Sequence, residues 1–216
     1  MTTRLRPRPS AAKSPAVILV AIAGGSGSGK TWLATSLHRR LRPHAGLISL
    51  DDFYRDLSHL PLARRARTNF DSPAAIDWRL FATLLRALAA GETPILPRYD
   101  FARHNRAARV RRWRRKRIVL VEGLWPWAQP HLRRLFALRI YREADPDLRY
   151  ERRLRRDVRH RGRTPESVDH QWRLQVEPMF TRHVAPQRRT ADVVLGARVT
   201  PAELAALARR IRRLAA

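Results

Sequence analysis

Gly24-Gly25-Ser26-Gly27-Ser28-Gly29-Lys30-Thr31 constrains the chain more than any other stretch. It fits G-x-x-x-x-G-K-[S/T], a loop whose bare backbone cradles phosphates. The continuous apolar run 16–23 before it reads as a parallel strand buried on both faces. After it, Leu33, Leu37 and Leu41 recur at helical spacing over 32–41. Strand, loop and helix thus stand in the order a triphosphate site needs. Glycines allow close approach and left-handed angles, and the helix start adds free N–H groups and partial positive charge. Lys30 is expected to reach the β- and γ-phosphates, and the Thr31 hydroxyl to ligate Mg²⁺.

The remaining pattern alternates strands with helices. Apolar strands are expected at 46–50, 118–123, 138–141 and 191–195, giving with the first a five-stranded, mostly parallel sheet. The helices are expected from Ser72-Pro73 to Gly91, from Asp145 to Arg161, from Thr164-Pro165 to about Arg182, and from the capping box Thr200–Glu203 onward. The stretch 56–69 reads as a mobile loop. In the last helix Leu204, Leu207, Ala208, Ile211 and Leu214 form the core stripe. We expect one α/β domain of the P-loop NTPase type over 16–216, preceded by a disordered basic arm, 1–15. The basic start and the apolar run have the outline of a secretory signal, but cleavage there would remove the phosphate loop. No run approaches the roughly 20 apolar residues that span a bilayer, so no membrane partner is expected. With no cysteine there is no disulfide, which is compatible with a cytoplasmic protein.

The 216 residues include 45 Lys and Arg against 18 Asp and Glu, a net charge of +27. Lysine occurs only at Lys13, Lys30 and Lys116, so arginine stands almost everywhere another chain would use either. We read the excess as solvated surface rather than as a nucleic-acid site; a basic nucleic-acid-binding ATPase, suggested by 109–117 with Trp113, is the rival reading.

Carboxylates fall where a phosphoryl-transfer enzyme needs them. Asp51 and Asp52 follow the second strand and Glu122 ends the third, at the edge of the sheet that carries the loop. Asp51 or Asp52 alone could instead cap a helix. Tyr99, Phe101 and His104 lie in one loop, able either to hold a planar ring or to pack a hairpin onto the core. Between 147 and 163, Arg149, Arg152, Arg153, Arg156 and Arg159 recur three or four apart, with Leu154 and Val158 on another face. Such a helix is either a lid over a triphosphate or a solvated face.

Taken together, G-G-S-G-S-G-K-T, D-D-F-Y, N-F-D-S-P, P-R-Y-D-F-A-R-H-N-R, V-E-G, R-R-D-V-x-x-R-G-R and E-P-M-F, in this order, resemble the uridine kinase (uridine-cytidine kinase) family over about 17–195. The resemblance implies transfer of the γ-phosphoryl group of ATP or GTP to the 5′-hydroxyl of uridine or cytidine, and a homo-oligomer, often a tetramer. It makes the arginine helix a lid; the residues themselves read 109–117, with Trp113, as a basic strand or hairpin arm. By motif, Asp51 matches the base that takes the hydroxyl proton. Thr31 and Glu122, with Asp51 nearby, match the Mg²⁺ site. Asp71 and Arg153 match the ribose-holding pair, and Tyr99 and His104 the pyrimidine-reading pair, with Phe101 and Tyr54 around the base. Arg156, Arg161 and Arg163 match phosphate-binding arginines, and Gln171 a glutamine near the nucleoside. Related kinases of this fold (phosphoribulokinase, pantothenate kinase, nicotinamide riboside kinase) phosphorylate other small hydroxyl acceptors. Three places depart from the family's usual pattern. Leu195-Gly196-Ala197-Arg198 replaces a Pro-Arg-Gly turn, Glu177 replaces a basic residue, and Trp125 and Trp127 replace aliphatic ones.

Overall fold

The computed structural model describes residues 17–216, so the expected arm at 1–15 lies outside the described residues. Its strands are β1 (Ile18–Gly24), β2 (Ala45–Ser49), β3 (Ile95–Leu96), β4 (Tyr99–Asp100), β5 (Asn105–Arg106), β6 (Arg111–Arg112), β7 (Ile118–Gly123), β8 (Phe136–Arg142) and β9 (Val193–Leu195). The central sheet runs β2-β7-β1-β8-β9, and every pairing in it is parallel. The apolar runs form its middle because strands covered on both faces need no polar alternation.

Side chains of β1 point alternately to two cores. Leu19, Ala21 and Ala23 pack with Phe81, Leu85 and Leu88 of α3 (Trp78–Ala89) and with Trp125 and Trp127. Val20 and Ile22 pack with Leu33 and Leu37 of α1 (Lys30–Arg40) and with Leu204, Leu207 and Ile211 of α8 (Pro201–Leu214). The helices between are α2 (Leu62–Ala66), α4 (Pro130–Arg133), α5 (Pro146–Arg161), α6 (Pro165–Gln171) and α7 (Glu177–Met179). Wide π-type turns join α6 to α7 and extend past it, so the helical run continues beyond Arg182 to Thr190.

Several expectations are corrected. Ser72 does cap a turn, but only the short Pro73–Ala75; Ile76 is extended and bridges to Tyr54, and α3 begins afresh with Asp77 accepting from Leu80 N. The stretch 56–69 contains α2. Leu214 is exposed, outside the core stripe. In α5 the buried positions are Arg149, Arg153 and Asp157, whereas Val158 and Arg159 are exposed. The hairpin lies earlier than the expected 109–117, of which only Arg111–Arg112 is strand: it consists of two nested antiparallel pairs, β3 with β6 and β4 with β5. Trp113, beyond it, is buried in the core rather than displayed among the arginines. Among the described residues no helix is long and apolar enough to cross a membrane.

Trp113 occupies the space that Gly46 leaves on β2. A Cβ at Gly46 would lie 2.2 Å from the Trp113 Cη2 and 2.7 Å from its Cζ2. Gly46→Ala is therefore expected to destabilise the fold by about 1–3 kcal/mol through overpacking. Urea unfolding should show a lower midpoint with an unchanged slope; an unchanged midpoint would mean that the indole withdraws without cost.

Candidate active site

The phosphate loop turns through Gly27 and Gly29, at φ 77° and 90°, and Gly29 caps α1. Lys30 folds back over the loop, its Nζ donating to the Gly25 carbonyl at 3.5 Å. The glycines meet a second demand from behind. A Cβ at Gly27 would lie 2.2 Å from the Arg149 carbonyl oxygen, and one at Gly25 2.9 Å from the Phe180 ring. Arg149 is buried here, pairing with Glu177 at 2.9 Å and lying 3.8 Å from the Phe180 ring centroid. The acid at position 177 is thus the counter-ion of the residue that backs the loop.

Beside the loop, β2 and β7 are in register with Ser49 opposite Glu122. Glu122 accepts from Thr31 Oγ1 at 3.1 Å and from Ser49 Oγ at 2.9 Å, and Ser49 Oγ in turn accepts from Asp51 N at 3.3 Å. Thr31 and Glu122, expected from sequence, therefore meet directly, and Ser49, which sequence reasoning missed, ties the Glu122 carboxylate to the Asp51 backbone. Burial raises the Glu122 pKa and lowers that of Lys30; each is the other's largest opposing charge. Among the described residues no group of three or more His, Cys, Asp or Glu converges on a metal-sized point. Hydroxyl and carboxylate oxygens are nonetheless the hard donors that Mg²⁺ takes when phosphate and water complete its shell.

A cavity of about 300 Å³ opens from the loop. Lys30, Asp51, Tyr54, Asp71, Tyr99, Phe101, His104, Arg153, Arg156, Arg161, Arg163 and Gln171 all line it. Asp71 pairs with Arg153 at 3.2 Å, and Arg153 also donates to Gln171 Oε1 at 2.9 Å and to Ser26 Oγ at 3.0 Å. Arg163 donates to the same Gln171 oxygen. Tyr54 donates to the Phe70 carbonyl at 3.0 Å and to Asp51 Oδ1 at 3.4 Å.

The aromatic wall has both a face and polar edges. Tyr99 stands edge-on to Tyr54, Phe70 and Phe101, and its buried hydroxyl has no hydrogen-bond partner among the described residues. Burial and then the charge of Asp51 raise its pKa, so it remains a donor. His104 sits at the hairpin tip with φ 46° and stacks on Phe70 at 5.8 Å. Burial, then Arg163 and Arg161, hold its pKa below the usual value, keeping the imidazole neutral near pH 7. Phe101 is 46% exposed, with the Arg161 guanidinium 5.0 Å from its ring centroid. Asp52 faces away from this cavity, its Oδ1 accepting from Tyr99 N at 3.2 Å.

The arginines of α5 are held by a residue to which sequence reasoning gave no role. Asp157, fully buried, lies 2.7 Å from Arg156, 3.4 Å from Arg153 and 3.5 Å from Arg161. Its carbonyl accepts from Arg163 N at 3.2 Å. An Asp four residues from both Arg153 and Arg161 was the available signal.

Residues 19–203 match the sequence profile of the phosphoribulokinase / uridine kinase family. Among curated proteins, the chain is 43% identical over 178 residues to a uridine kinase of Chloroflexus aurantiacus, covering 82% of this chain and 85% of that protein. It is 38% identical over 183 residues to the uridine kinase of Mannheimia succiniciproducens, with 82% and 85% covered. Among solved structures, phosphoribulokinase from Rhodobacter spheroides superposes with a TM-score of 0.62 at 16% identity, covering 85% of this chain and 71% of that one.

Asp157→Asn removes the shared counter-ion of three arginines, and breaking such a buried pair costs about 3–5 kcal/mol. Burial alone would raise the Asp157 pKa, but the Arg156 hydrogen bond and the charges of Arg156, Arg153 and Arg161 bring it below 3.8. Its stabilisation is therefore present above the unfolded value and disappears as pH falls through the depressed folded one. Denaturation at pH 7 should show the loss in the variant, and the gap should begin to close below pH 3.8 and vanish only once pH has fallen through the depressed folded value; a gap that does not shrink with falling pH would contradict the ionic assignment.

Proposed function

The chain belongs to the phosphoribulokinase / uridine kinase family, and from that premise we propose that it is a nucleoside kinase, phosphorylating the 5′-hydroxyl of uridine or cytidine. The observation that carries the reading is the cavity beside the phosphate loop, where a carboxylate, an Asp–Arg pair and an aromatic wall with polar edges converge. Its volume suits a small nucleoside, near the lower end of ligand cavities at about 300–1,000 Å³.

In this reading the loop backbone and Lys30 hold the β- and γ-phosphates of ATP or GTP. Thr31 and Glu122, with Ser49 orienting the carboxylate and Asp51 near, would hold Mg²⁺, which would supply positive charge to offset that of the phosphates. Asp71 and Arg153 hold the ribose hydroxyls and so fix where the 5′-hydroxyl lies. Asp51 accepts the 5′-hydroxyl proton. Arg156, Arg161 and Arg163 balance charge on the transferred group, and the end of α5 serves as a lid that excludes water. Most of the catalysis is positioning and charge stabilisation, since phosphoryl transfer needs little covalent help.

Tyr99 and His104 read the exocyclic edge of the pyrimidine, while Phe101 and Tyr54 pack around the ring. The unsatisfied Tyr99 hydroxyl supports this, because a buried polar group without a partner costs free energy until a ligand pairs it. A purine would both overfill the space and leave those groups unpaired.

Asp51→Asn is expected to keep ATP affinity and to lose turnover by about 10²–10⁴-fold, the usual contribution of a positioned base. Near-normal kcat in steady-state assays with uridine would remove Asp51 from that role. His104→Ala should lower kcat/KM for uridine and cytidine by about 1–3 kcal/mol while leaving the KM for ATP unchanged. Untouched nucleoside kinetics, or adenosine serving as a good acceptor of the wild type, would refute the pyrimidine-reading assignment.

A further inference from the structure

A second cavity, of about 610 Å³, lies along β2 and is lined by Arg42, Arg98, Arg111, Arg112, Arg114 and Lys116, with Asp52 as its one carboxylate. Strand β2 forms an edge of the central sheet. Arginine on a convex face is readily solvated, but cations gathered in a hollow repel one another and focus a positive potential. Two of its groups register that crowding. Burial, then the charges of Arg42, Lys116 and Arg111, hold the His38 pKa below the usual value. Burial also lowers that of Arg111, with Asp52 opposing and Arg98 reinforcing the shift.

The lining narrows the choice of occupant. A single-stranded nucleic acid needs open aromatic platforms on which bases stack. Trp113 is the only aromatic residue in the lining besides His38. It is 7% exposed, packed on Gly46, with the Arg111 guanidinium 5.4 Å from its centroid. An added β-strand is also disfavoured, because Arg111 donates from both terminal nitrogens to the Leu47 carbonyl at 3.1 Å. What remains is a hollow of ligand size lined by guanidinium groups, with the Lys116 ammonium at its side donating to the Pro43 carbonyl at 2.8 Å, and guanidinium donors are the chemistry that recognises phosphate.

We propose that this groove is a second anion site, separate from the phosphate loop, that binds the polyphosphate chain of a free nucleotide. It goes beyond the kinase reading and does not depend on which acceptor that kinase uses. Hydrogen bonds tie its lining to the acceptor site: Asp52 accepts from Tyr99 N, and Ser49 donates to Glu122.

Calorimetric titration of the full chain with ATP, and separately with inorganic tripolyphosphate, tests the site. About two ATP equivalents per chain are expected for the wild type and about one for Lys30→Met, whose remaining site is the groove. The exposed residues Arg42, Arg112 and Arg114 can be changed together to Gln with little risk to the fold. In that variant the groove's affinity for both probes should fall by about tenfold or more, and its salt dependence should become shallower. Tripolyphosphate binding in the groove as well as ATP does would assign recognition to the phosphate chain. A single ATP equivalent in the wild type would overturn the proposal. So would a second site untouched by the triple substitution, ATP binding there without tripolyphosphate binding, or a single-stranded oligonucleotide displacing both probes.

Discussion

The cleft depends on keeping like charges close together. Arg153, Arg156 and Arg161 converge on the Asp157 carboxylate, which is fully buried, and Arg153 reaches on to Asp71. Coulomb repulsion among guanidiniums this close would open the helix end unless low-dielectric counter-charges offset it. With 18 acids against 45 bases, the placement of each buried acid decides which arginines are fixed and which are merely solvated. The Arg149–Glu177 pair follows the same rule one turn earlier on α5, and there it braces the back of the phosphate loop. Loop and arginine helix are therefore one packed unit over Arg149–Arg153.

A second constraint is register. The parallel pairing of β2 with β7 sets Ser49 opposite Glu122, and α1 brings Thr31 to the same carboxylate. Three elements thereby place their oxygen donors at the ends of adjacent strands, where ligands of open parallel sheets gather. Burial of Glu122 makes its charge costly, and the hydroxyls of Ser49 and Thr31 together with Lys30 offset that cost. An ordered oxygen cluster of this kind is a ready platform for a hard cation carried in with phosphate.

Much of this was legible in the sequence, and the exceptions have physical causes. Strands buried on both faces announce themselves as apolar runs, so the sheet could be read directly. The start of α3 could not, because Ser72-Pro73 uses helix-start grammar for a single turn before Asp77 caps the real helix. On α5 periodicity put Leu154 and Val158 on a face of their own, but tertiary ion pairs bury Arg149, Arg153 and Asp157. Trp113 looked like part of a basic patch because nothing local reveals that Gly46 makes room for an indole. Ser49 was missed because its role comes from strand register, which a single chain does not display. The cleft residues were legible largely through motif resemblance; spacing alone left the Tyr99–His104 loop open between ligand site and packed hairpin.

The most direct test of the account is the phosphorus NMR spectrum of the product formed by the wild-type chain from uridine and Mg²⁺–ATP. The account predicts ADP together with one new phosphate monoester resonance coupled to the 5′ protons of the ribose. ADP formed without any uridine ester, or a phosphate placed on the 2′- or 3′-hydroxyl, would contradict it.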